Sequence, residues 1–315
     1  IDTFSGHRGP VYSLEKGVDS LFYSAGSDGW VVQWNLAKPD LGKVIAQVEG
    51  SVYVMKLDAA GILWVGHNYE GIQGIQVADQ AQVFSIPTKG LSLFSIAFVG
   101  SNAWIGHNEG LITVVDMATK SVIKHIKASS KSVRCFCTLA DDFVAVGYSD
   151  GFIRVFDTTF QLVHSFKAHE SSVFSLQSRG GELFSVGKDA RIKRWSADFQ
   201  LLNEVIGHIY AIHDLQFSPD GKWFATASMD KTVKVWESET LTLRKVLDAS
   251  RHGGHKNSVN KLIWSSFDDL LVSASDDKNL SIWKIHFLTG SGANTKNLQK
   301  NILLKMIIKK QQEFT

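Results

Sequence analysis

The sequence predicts an all-β fold, a seven-bladed β-propeller of four-stranded antiparallel blades, and three observations lead to this prediction. A motif ending in tryptophan recurs as "GSDGWVVQWNL" (26–36), "GKDARIKRWSA" (187–197), "SMDKTVKVWES" (228–238) and "SDDKNLSIWKI" (275–285). The tryptophan position returns every 39 to 47 residues, at Trp34, near Gln76, and at Val115, Phe156, Trp195, Trp236 and Trp283. Short alternating runs fill each repeat, and no long helical pattern interrupts them. A period in the forties with such runs is typical of a propeller, in which each repeat is one blade.

The sixth repeat illustrates how four strands follow from turn signals. Runs at 211–217 and 223–228, followed by "TVKVWES" and "LTLRKVL", predict the strands, and "SPDGK" (218–222) predicts the tight turn after the first of them. One such meander cannot bury both of its faces. The seven repeats are therefore expected to stack in a ring.

The two ends of the repeat region predict how the ring closes. The seventh repeat supplies strands at 259–264, 270–275 and 279–286 but no convincing fourth strand, whereas the N-terminal "IDTFSGH" resembles the end of one. Pairing residues 1–5 with the seventh repeat removes two exposed sheet edges. The expected propeller covers residues 1–287.

The repeats resemble those of the WD40 family. In four of them a histidine, usually after glycine, lies 26 to 28 residues before the tryptophan, and an aspartate lies six residues before it. The resemblance covers about nine tenths of the chain, although repeats two, three and four lack the histidine and the tryptophan. It implies a non-enzymatic scaffold that presents loops to a protein or peptide partner.

Each well-formed repeat contains a histidine, a hydroxyl residue, an aspartate and a tryptophan in register. The sets are His7, Ser24, Asp28 and Trp34; His169, Ser185, Asp189 and Trp195; His208, Thr226, Asp230 and Trp236; and His255, Ser273, Asp277 and Trp283. The same residue types form a hydrolase triad. A catalyst needs one such set, however, and four copies in register indicate a repeated structural need. The WD40 resemblance implies a hydrogen-bonded chain inside each blade, and no catalytic residues are predicted.

Repeats two to four share "WVGHN" (64–68), "WIGHN" (104–108) and "AVGYS" (145–149) instead. One interpretation is that Trp64 and Trp104 fill with apolar volume the space that the polar network fills elsewhere. The alternative is a secondary binding rim, for an enzyme or a small-ligand binder, formed by His67, Asn68, His107, Asn108 and Tyr148. A shared metal is not expected, because neighbouring sheets lie about 10 Å apart and Zn–N bonds are about 2 Å.

The start of each innermost strand predicts the main binding surface. An apolar residue opens every such strand, and the residues that follow it are Tyr12, Tyr53, Phe94, Arg134, Phe174, His213 and Asn260. Aromatic residues and arginine are enriched at interface hot spots. The WD40 resemblance places this position at a bulge by the mouth of the central channel, often in contact with partners. The alternative is that the rings only pack between neighbouring inner strands; full burial would favour it.

The composition and the charge of the chain indicate which classes of partner and which compartment to expect. The formal charge is +2, and the segment from Leu288 holds five lysines and one glutamate, so it carries +4 and the remainder carries 2 − 4 = −2. A mildly acidic body disfavours nucleic acid. Two cysteines, Cys135 and Cys137, favour a reducing compartment and packing roles, so a cytoplasmic, monomeric protein without cofactor or metal is expected. No run is long and apolar enough to span a membrane, and a signal removed before residue 1 stays open.

The C-terminal segment follows a different pattern. Residues 288–296 predict a flexible linker, and 297–315 have apolar residues at helical spacing among lysines. Such a helix could recruit the protein to a membrane surface or an acidic partner. A disordered end, a helix folded back on the propeller and an extension foreign to the natural protein are the alternatives.

Overall fold

The computed structural model describes residues 2–38, 42–68, 70–88 and 90–286, except for the side chain of Asp141. In this part of the chain, seven antiparallel sheets of four strands form the blades. The bounds are β1 (Asp2–Ser5); β2 (Val11–Lys16), β3 (Leu21–Gly26), β4 (Trp30–Asn35) and β5 (Lys43–Gln47) in blade 1; β6 (Val52–Leu57), β7 (Ile62–His67), β8 (Gly71–Gln76) and β9 (Gln82–Pro87) in blade 2; β10 (Leu93–Val99), β11 (Asn102–His107), β12 (Leu111–Asp116) and β13 (Val122–Lys127) in blade 3. The list continues with β14 (Val133–Thr138), β15 (Val144–Tyr148), β16 (Phe152–Phe156) and β17 (Leu162–Lys167) in blade 4; β18 (Val173–Arg179), β19 (Glu182–Gly187), β20 (Arg191–Trp195) and β21 (Leu201–Ile206) in blade 5; β22 (Ile212–Phe217), β23 (Trp223–Ser228), β24 (Val233–Glu237) and β25 (Leu243–Leu247) in blade 6; and β26 (Val259–Trp264), β27 (Leu270–Ser275) and β28 (Asn279–Lys284) in blade 7.

The strand β1 completes blade 7, as the sequence predicts. It pairs antiparallel with β28, so that Phe4 lies opposite Leu280, and the sheet order is β1, β28, β27, β26. The innermost strand of blade 7 also contacts that of blade 1. The ring is thus closed by a strand from the other end of the propeller.

The hydrophobic core lies between neighbouring blades. Trp34 and Phe22 of blade 1 pack with Val272 and Ile282 of blade 7 in one cluster, and the adjoining cluster joins blade 1 to blade 2. Each blade therefore buries its two faces against two others, which is the stacking that a single meander requires.

In the part of the chain that the structure describes, helical turns occur only in the connections between strands. Two 3-10 turns cover Asn108–Gly110 and Ala140–Asp142, and the helix α1 covers Ala249–His252 before blade 7. This helix accounts for the longest spacing in the repeat pattern. No described helix is long and apolar enough to cross a membrane.

The structure refines two details of the sequence prediction and leaves a third untested. The register places Ile75, and not Gln76, at the position of Trp34, because Leu63 pairs with Ile75 as Phe22 pairs with Trp34. The last strand ends at Lys284, two residues before the predicted end. The predicted linker at 288–296 and tail at 297–315 lie outside the described residues, so both stay predictions.

Candidate functional site at the channel mouth

Every blade has a β-bulge at the same place in its innermost strand. In blade 1, Val11 pairs with Gly26 but Ser13 pairs with Ala25, so Tyr12 is the extra residue. A bulge re-aims a side chain and sharpens the local twist. The seven extra residues are Tyr12, Tyr53, Phe94, Arg134, Phe174, His213 and Asn260. All seven line a cavity of about 540 Å³ whose walls come from the seven innermost strands. We call them the mouth ring.

The aromatic members of the mouth ring form two segments of contacting rings. Tyr12 stacks on Tyr53 with ring centroids 5.1 Å apart, and Tyr53 meets Phe94 edge-on at 6.3 Å. Phe174 and His213 meet edge-on at 5.6 Å. These geometries are the favourable ones for aromatic pairs.

Arg134 joins the two aromatic segments of the mouth ring. Its guanidinium carbon lies 4.3 Å from the Phe94 ring centroid and 5.0 Å from that of Phe174. A guanidinium over two aromatic rings gains cation–π stabilisation from each of them. The arginine is therefore held in a defined plane.

Hydrogen bonds from blade 7 close the ring. His213 Nδ1 donates to the Val259 carbonyl at 3.1 Å, and Asn260 Nδ2 donates to the Val11 carbonyl at 3.0 Å and to Asp276 Oδ1 at 2.8 Å. The polar members thus tie blades 6, 7 and 1 together. The mouth ring is continuous around the channel.

The exposure of the mouth ring lies between the two expectations from the sequence. All seven side chains are half-buried. Six of the seven contact a neighbouring side chain of the ring, and all seven also line the cavity. The alternative of purely internal packing would require full burial, which none of the seven has.

At neutral pH the mouth ring contains one cation. Burial lowers the pKa of Arg134, and its Nε is buried with no hydrogen-bond partner among the described residues. Burial also lowers the pKa of His213, which keeps that imidazole neutral, and it raises the pKa of Tyr12. Arg134 is the charged group that an incoming partner meets.

Deeper in the channel, a buried carboxylate is paired with a lysine. Asp214 is fully buried; it accepts hydrogen bonds from Ser175 Oγ at 2.9 Å and Leu262 N at 3.0 Å, and Lys261 Nζ lies 3.2 Å away. This carboxylate links blades 5, 6 and 7. The sequence analysis did not single it out, although an aspartate within the otherwise largely apolar strand "AIHDLQF" was the available signal.

The His, hydroxyl, Asp and Trp residues form one hydrogen-bonded chain in each of blades 1, 5, 6 and 7. In blade 6, Trp236 Nε1 lies 2.9 Å from Thr226 Oγ1, Thr226 Oγ1 lies 2.8 Å from His208 Nε2, and His208 Nδ1 lies 2.8 Å from Asp230 Oδ2. The other three chains repeat this order with Ser24, Ser185 and Ser273 as the hydroxyl residues. The four histidines are buried. This burial removes them from any substrate and fits a structural role.

The secondary rim expected in blades 2 to 4 does not form as predicted. His67, His107 and Tyr148 are buried, at 0%, 1% and 0% exposure. The register gives them the position held by glycine in blades 1 and 5, where a Cβ on Gly187 would lie 3.4 Å from the His169 ring. They therefore fill space that the network histidine occupies in those blades. Polar residues beside a turn gave a misleading signal of exposure.

The two asparagines of the expected rim have structural contacts. Asn68 Oδ1 accepts from Leu93 N at 3.3 Å and Asn108 Oδ1 accepts from Ser92 N at 3.2 Å.

Burial lowers the pKa of His107 to about 4, so this ring is neutral at pH 7. Within the described part of the chain, no cluster of three or more His, Cys, Asp or Glu could hold a metal ion.

The interpretation of Trp64 and Trp104 as replacements for the polar network is wrong. Strand register places Val65, and not Trp64, at the position of Ser24. Trp64 packs against blade 3, and its Nε1 donates to Asp58 Oδ2 at 2.9 Å. Successive side chains of a strand point to opposite faces, so the tryptophans lie on the face away from the network position. Apolar residues such as Val65 and Ile75 fill that position.

Tyr148→Phe is expected to leave the free energy of unfolding unchanged or to raise it by up to about 1 kcal/mol, because the buried hydroxyl has no hydrogen-bond partner among the described residues. The matched control is Tyr23→Phe, which removes a hydroxyl that accepts from Gln33 Nε2 at 3.3 Å and should cost stability. Urea unfolding of both variants measures the difference. A larger loss for Tyr148→Phe than for Tyr23→Phe would contradict this account.

The two cysteines are free thiols, and Cys135 lies in the wall of the channel. Burial raises the pKa of both Cys135 and Cys137 to about 12. Thiolate is the reactive form, so both side chains behave as packing residues at neutral pH.

Two family models match the chain. The WD domain, G-beta repeat model matches residues 1–35, 199–237 and 247–284, which lie in the blades with the polar network. A model described as the IP5P C-F beta-propeller matches 93–195, which includes the irregular blades 3 and 4. Both matches fall on propeller blades.

Curated relatives and a solved structure agree with this assignment. Actin-interacting protein 1 of Caenorhabditis elegans is 31% identical over 305 residues, 90% of this chain and 48% of that protein. Type II inositol polyphosphate 5-phosphatase 14 of Arabidopsis thaliana is 32% identical over 115 residues, 36% of this chain and 10% of that protein. Protein HIR1 of Candida albicans is 26% identical over 171 residues, 50% of this chain and 18% of that protein.

The chain therefore spans less than half the length of each of these relatives. The WD40 propeller domain of Doa1 superposes with a TM-score of 0.78 at 20% identity, covering 89% of this chain and 95% of that one, which shows the same fold. Together with the repeat motif, the closed seven-bladed ring and the four polar networks, these matches show that the chain belongs to the WD40-repeat β-propeller family.

Proposed function

We propose that this protein is a non-enzymatic interaction scaffold that binds a protein or peptide partner at the mouth ring. The continuous, half-buried ring of aromatic and polar side chains at seven bulges is the observation that carries the proposal. Rigid aromatic side chains give contact area at low entropic cost, and arginine adds directed hydrogen bonds. A cytoplasmic, monomeric ring belongs to the same proposal.

An enzymatic function has less support. The His, hydroxyl and Asp sets are buried and repeated in four blades, and the described residues bring no second such set to the channel mouth. The similarity to an inositol polyphosphate 5-phosphatase covers 10% of that protein, and the corresponding family model describes a propeller. That similarity supports the fold and not the phosphatase reaction.

The double variant Tyr53→Ala/Arg134→Ala is expected to lose at least about 10-fold in affinity for a partner, because hot-spot side chains at the centre of an interface dominate binding. The partner is first isolated from the native cell with the propeller as bait, and affinity is then measured by calorimetry with the purified partner. Leu243→Ala/Arg244→Ala is the matched control, since both residues lie on the outermost strand of blade 6. Undiminished affinity of the mouth-ring variant would refute the site.

A further inference from the structure

Among the arginines that are not fully exposed to solvent, Arg134 is the one for which the described residues supply no carboxylate partner. Six of the eight arginines form ion pairs, namely Arg154, Arg179, Arg191, Arg194, Arg244 and Arg251. Arg8 is exposed to solvent and lies over Trp30. Arg134 is half-buried, and no described carboxylate is in ion-pair contact with it. It is an uncompensated cation inside the mouth of the channel.

The surroundings of Arg134 stabilise its position without neutralising it. Its guanidinium lies over the rings of both Phe94 and Phe174, and its Nε has no acceptor among the described residues. Two lysines that also line the cavity differ in this respect, since Lys261 Nζ lies 3.2 Å from an Asp214 carboxylate oxygen and Lys56 Nζ lies 3.3 Å from a Glu15 carboxylate oxygen. A partly buried charge without a counter-charge is unfavourable, and a bound anion would relieve that cost.

The geometry of a guanidinium selects the anion. The N–H donors of a guanidinium lie in the plane of the group, and contact with the Phe94 and Phe174 rings restricts how that plane can turn. An in-plane fork of donors matches the two oxygens of a carboxylate. The same positive charge repels a lysine or arginine from a partner.

An exposed apolar patch beside the ring indicates that the anion belongs to a peptide segment. Ile209, Tyr210 and Met229 are 78%, 58% and 54% exposed. Ile209 and Tyr210 precede the first strand of blade 6, which carries His213, and Met229 N donates to the Ala211 carbonyl at 2.9 Å, so all three lie at the mouth end of that blade. Exposed apolar side chains grouped in this way mark sites of macromolecular contact. A free inorganic anion would leave this patch unused.

We infer that the mouth ring binds an acidic peptide segment whose aspartate or glutamate carboxylate pairs with Arg134, while neighbouring apolar side chains contact the aromatic ring and the patch of Ile209, Tyr210 and Met229. This inference rests on the proposed function and names the chemistry of the partner.

The test uses the full chain and a random 12-residue peptide display library. Selected peptides are expected to carry Asp or Glu at a fixed position next to apolar residues. For one synthetic peptide, fluorescence anisotropy should show a loss of about 30-fold when its acid is replaced by the matching amide, and a similar loss when Arg134→Gln is the binding protein, because each change leaves one charge of the pair without its partner. The two changes together should add little beyond either alone.

Two further measurements make the result decisive. Arg134→Lys retains the charge without the planar fork of donors, so its affinity for the acidic peptide should lie between those of the wild type and Arg134→Gln. If Arg134→Gln fails to fold, the affinities for the acid and amide peptides are compared between the wild type and Arg134→Lys. Peptides that need Tyr53 but show no preference for the acid would overturn the carboxylate inference and leave the proposed function standing. Peptides indifferent to Tyr53→Ala would contradict the mouth ring itself.

Discussion

A variant lacking residues 1–5 is expected to melt about 10 °C below the full chain and to self-associate, because the deletion removes a buried aromatic side chain and a whole strand from the closure of the ring. Phe4 is 7% exposed and stacks on Trp34 of blade 1 with ring centroids 5.4 Å apart, although its strand belongs to blade 7. The N-terminal strand therefore connects two blades. Its loss also leaves β28 as an unpaired edge, which is a template for association.

Two point variants separate the side chain from the strand. Phe4→Ala keeps the pairing and should cost about 3 kcal/mol of unfolding free energy, whereas Thr3→Ala changes an exposed side chain and should cost little. Differential scanning fluorimetry and size-exclusion chromatography measure melting and association. A truncated protein that stays monomeric and melts with the full chain would show that the ring does not depend on this strand.

Regular repeats made most of the fold predictable. The turn signals of the sixth repeat predicted strands at 211–217 and 223–228, and the structure has Ile212–Phe217 and Trp223–Ser228. The mouth-ring position was also identifiable, because an apolar residue opens every innermost strand and one extra residue follows it. Local turn chemistry and the repeat period act in the same direction here, so each supports the other.

The irregular blades were less predictable because a one-residue change of register turns a side chain to the opposite face. Without a tryptophan to anchor the third strand, Trp64 could not be assigned to a face from sequence alone, and it lies towards blade 3. Blade 4 keeps part of the network in altered form: Ser129 Oγ donates to Asp150 at 2.9 Å and Arg154 pairs with the same carboxylate at 2.9 Å. Sequence comparison with the histidine-containing repeats gave no signal for that substitution.

Asp230→Ala is expected to lower the free energy of unfolding at pH 7 by about 3 kcal/mol, because it leaves buried donors without an acceptor. The carboxylate accepts from His208 Nδ1 at 2.8 Å, from Thr232 N at 3.0 Å and from Thr232 Oγ1 at 2.6 Å. Asp220→Ala is the matched control in the same blade, since that exposed carboxylate accepts only within its own turn, from Ser218 Oγ at 2.7 Å and Lys222 N at 3.0 Å. Its loss should cost less than about 1 kcal/mol.

The same network predicts how stability depends on pH. Burial alone would raise the pKa of Asp230, but hydrogen bonds from His208 and Thr232 hold that pKa well below its usual range. The stabilisation from Asp230 is therefore complete above the unfolded-state pKa of about 4 and is lost as the pH falls below it. Burial lowers the pKa of His208, so below about pH 6.5 the unfolded chain binds a proton that the folded chain does not. Acid destabilises the fold through both groups.

The histidine contribution can be isolated with His208→Gln, which removes the titrating imidazole. Between pH 6.5 and pH 5, about the range in which an unfolded histidine gains its proton, the wild type should lose stability more steeply with acidification than the variant does. Urea unfolding at several pH values gives both slopes, and Asp220→Ala should retain the wild-type slope. Equal slopes for the wild type and His208→Gln would mean that His208 titrates alike in the folded and unfolded chains, contrary to its burial in the network.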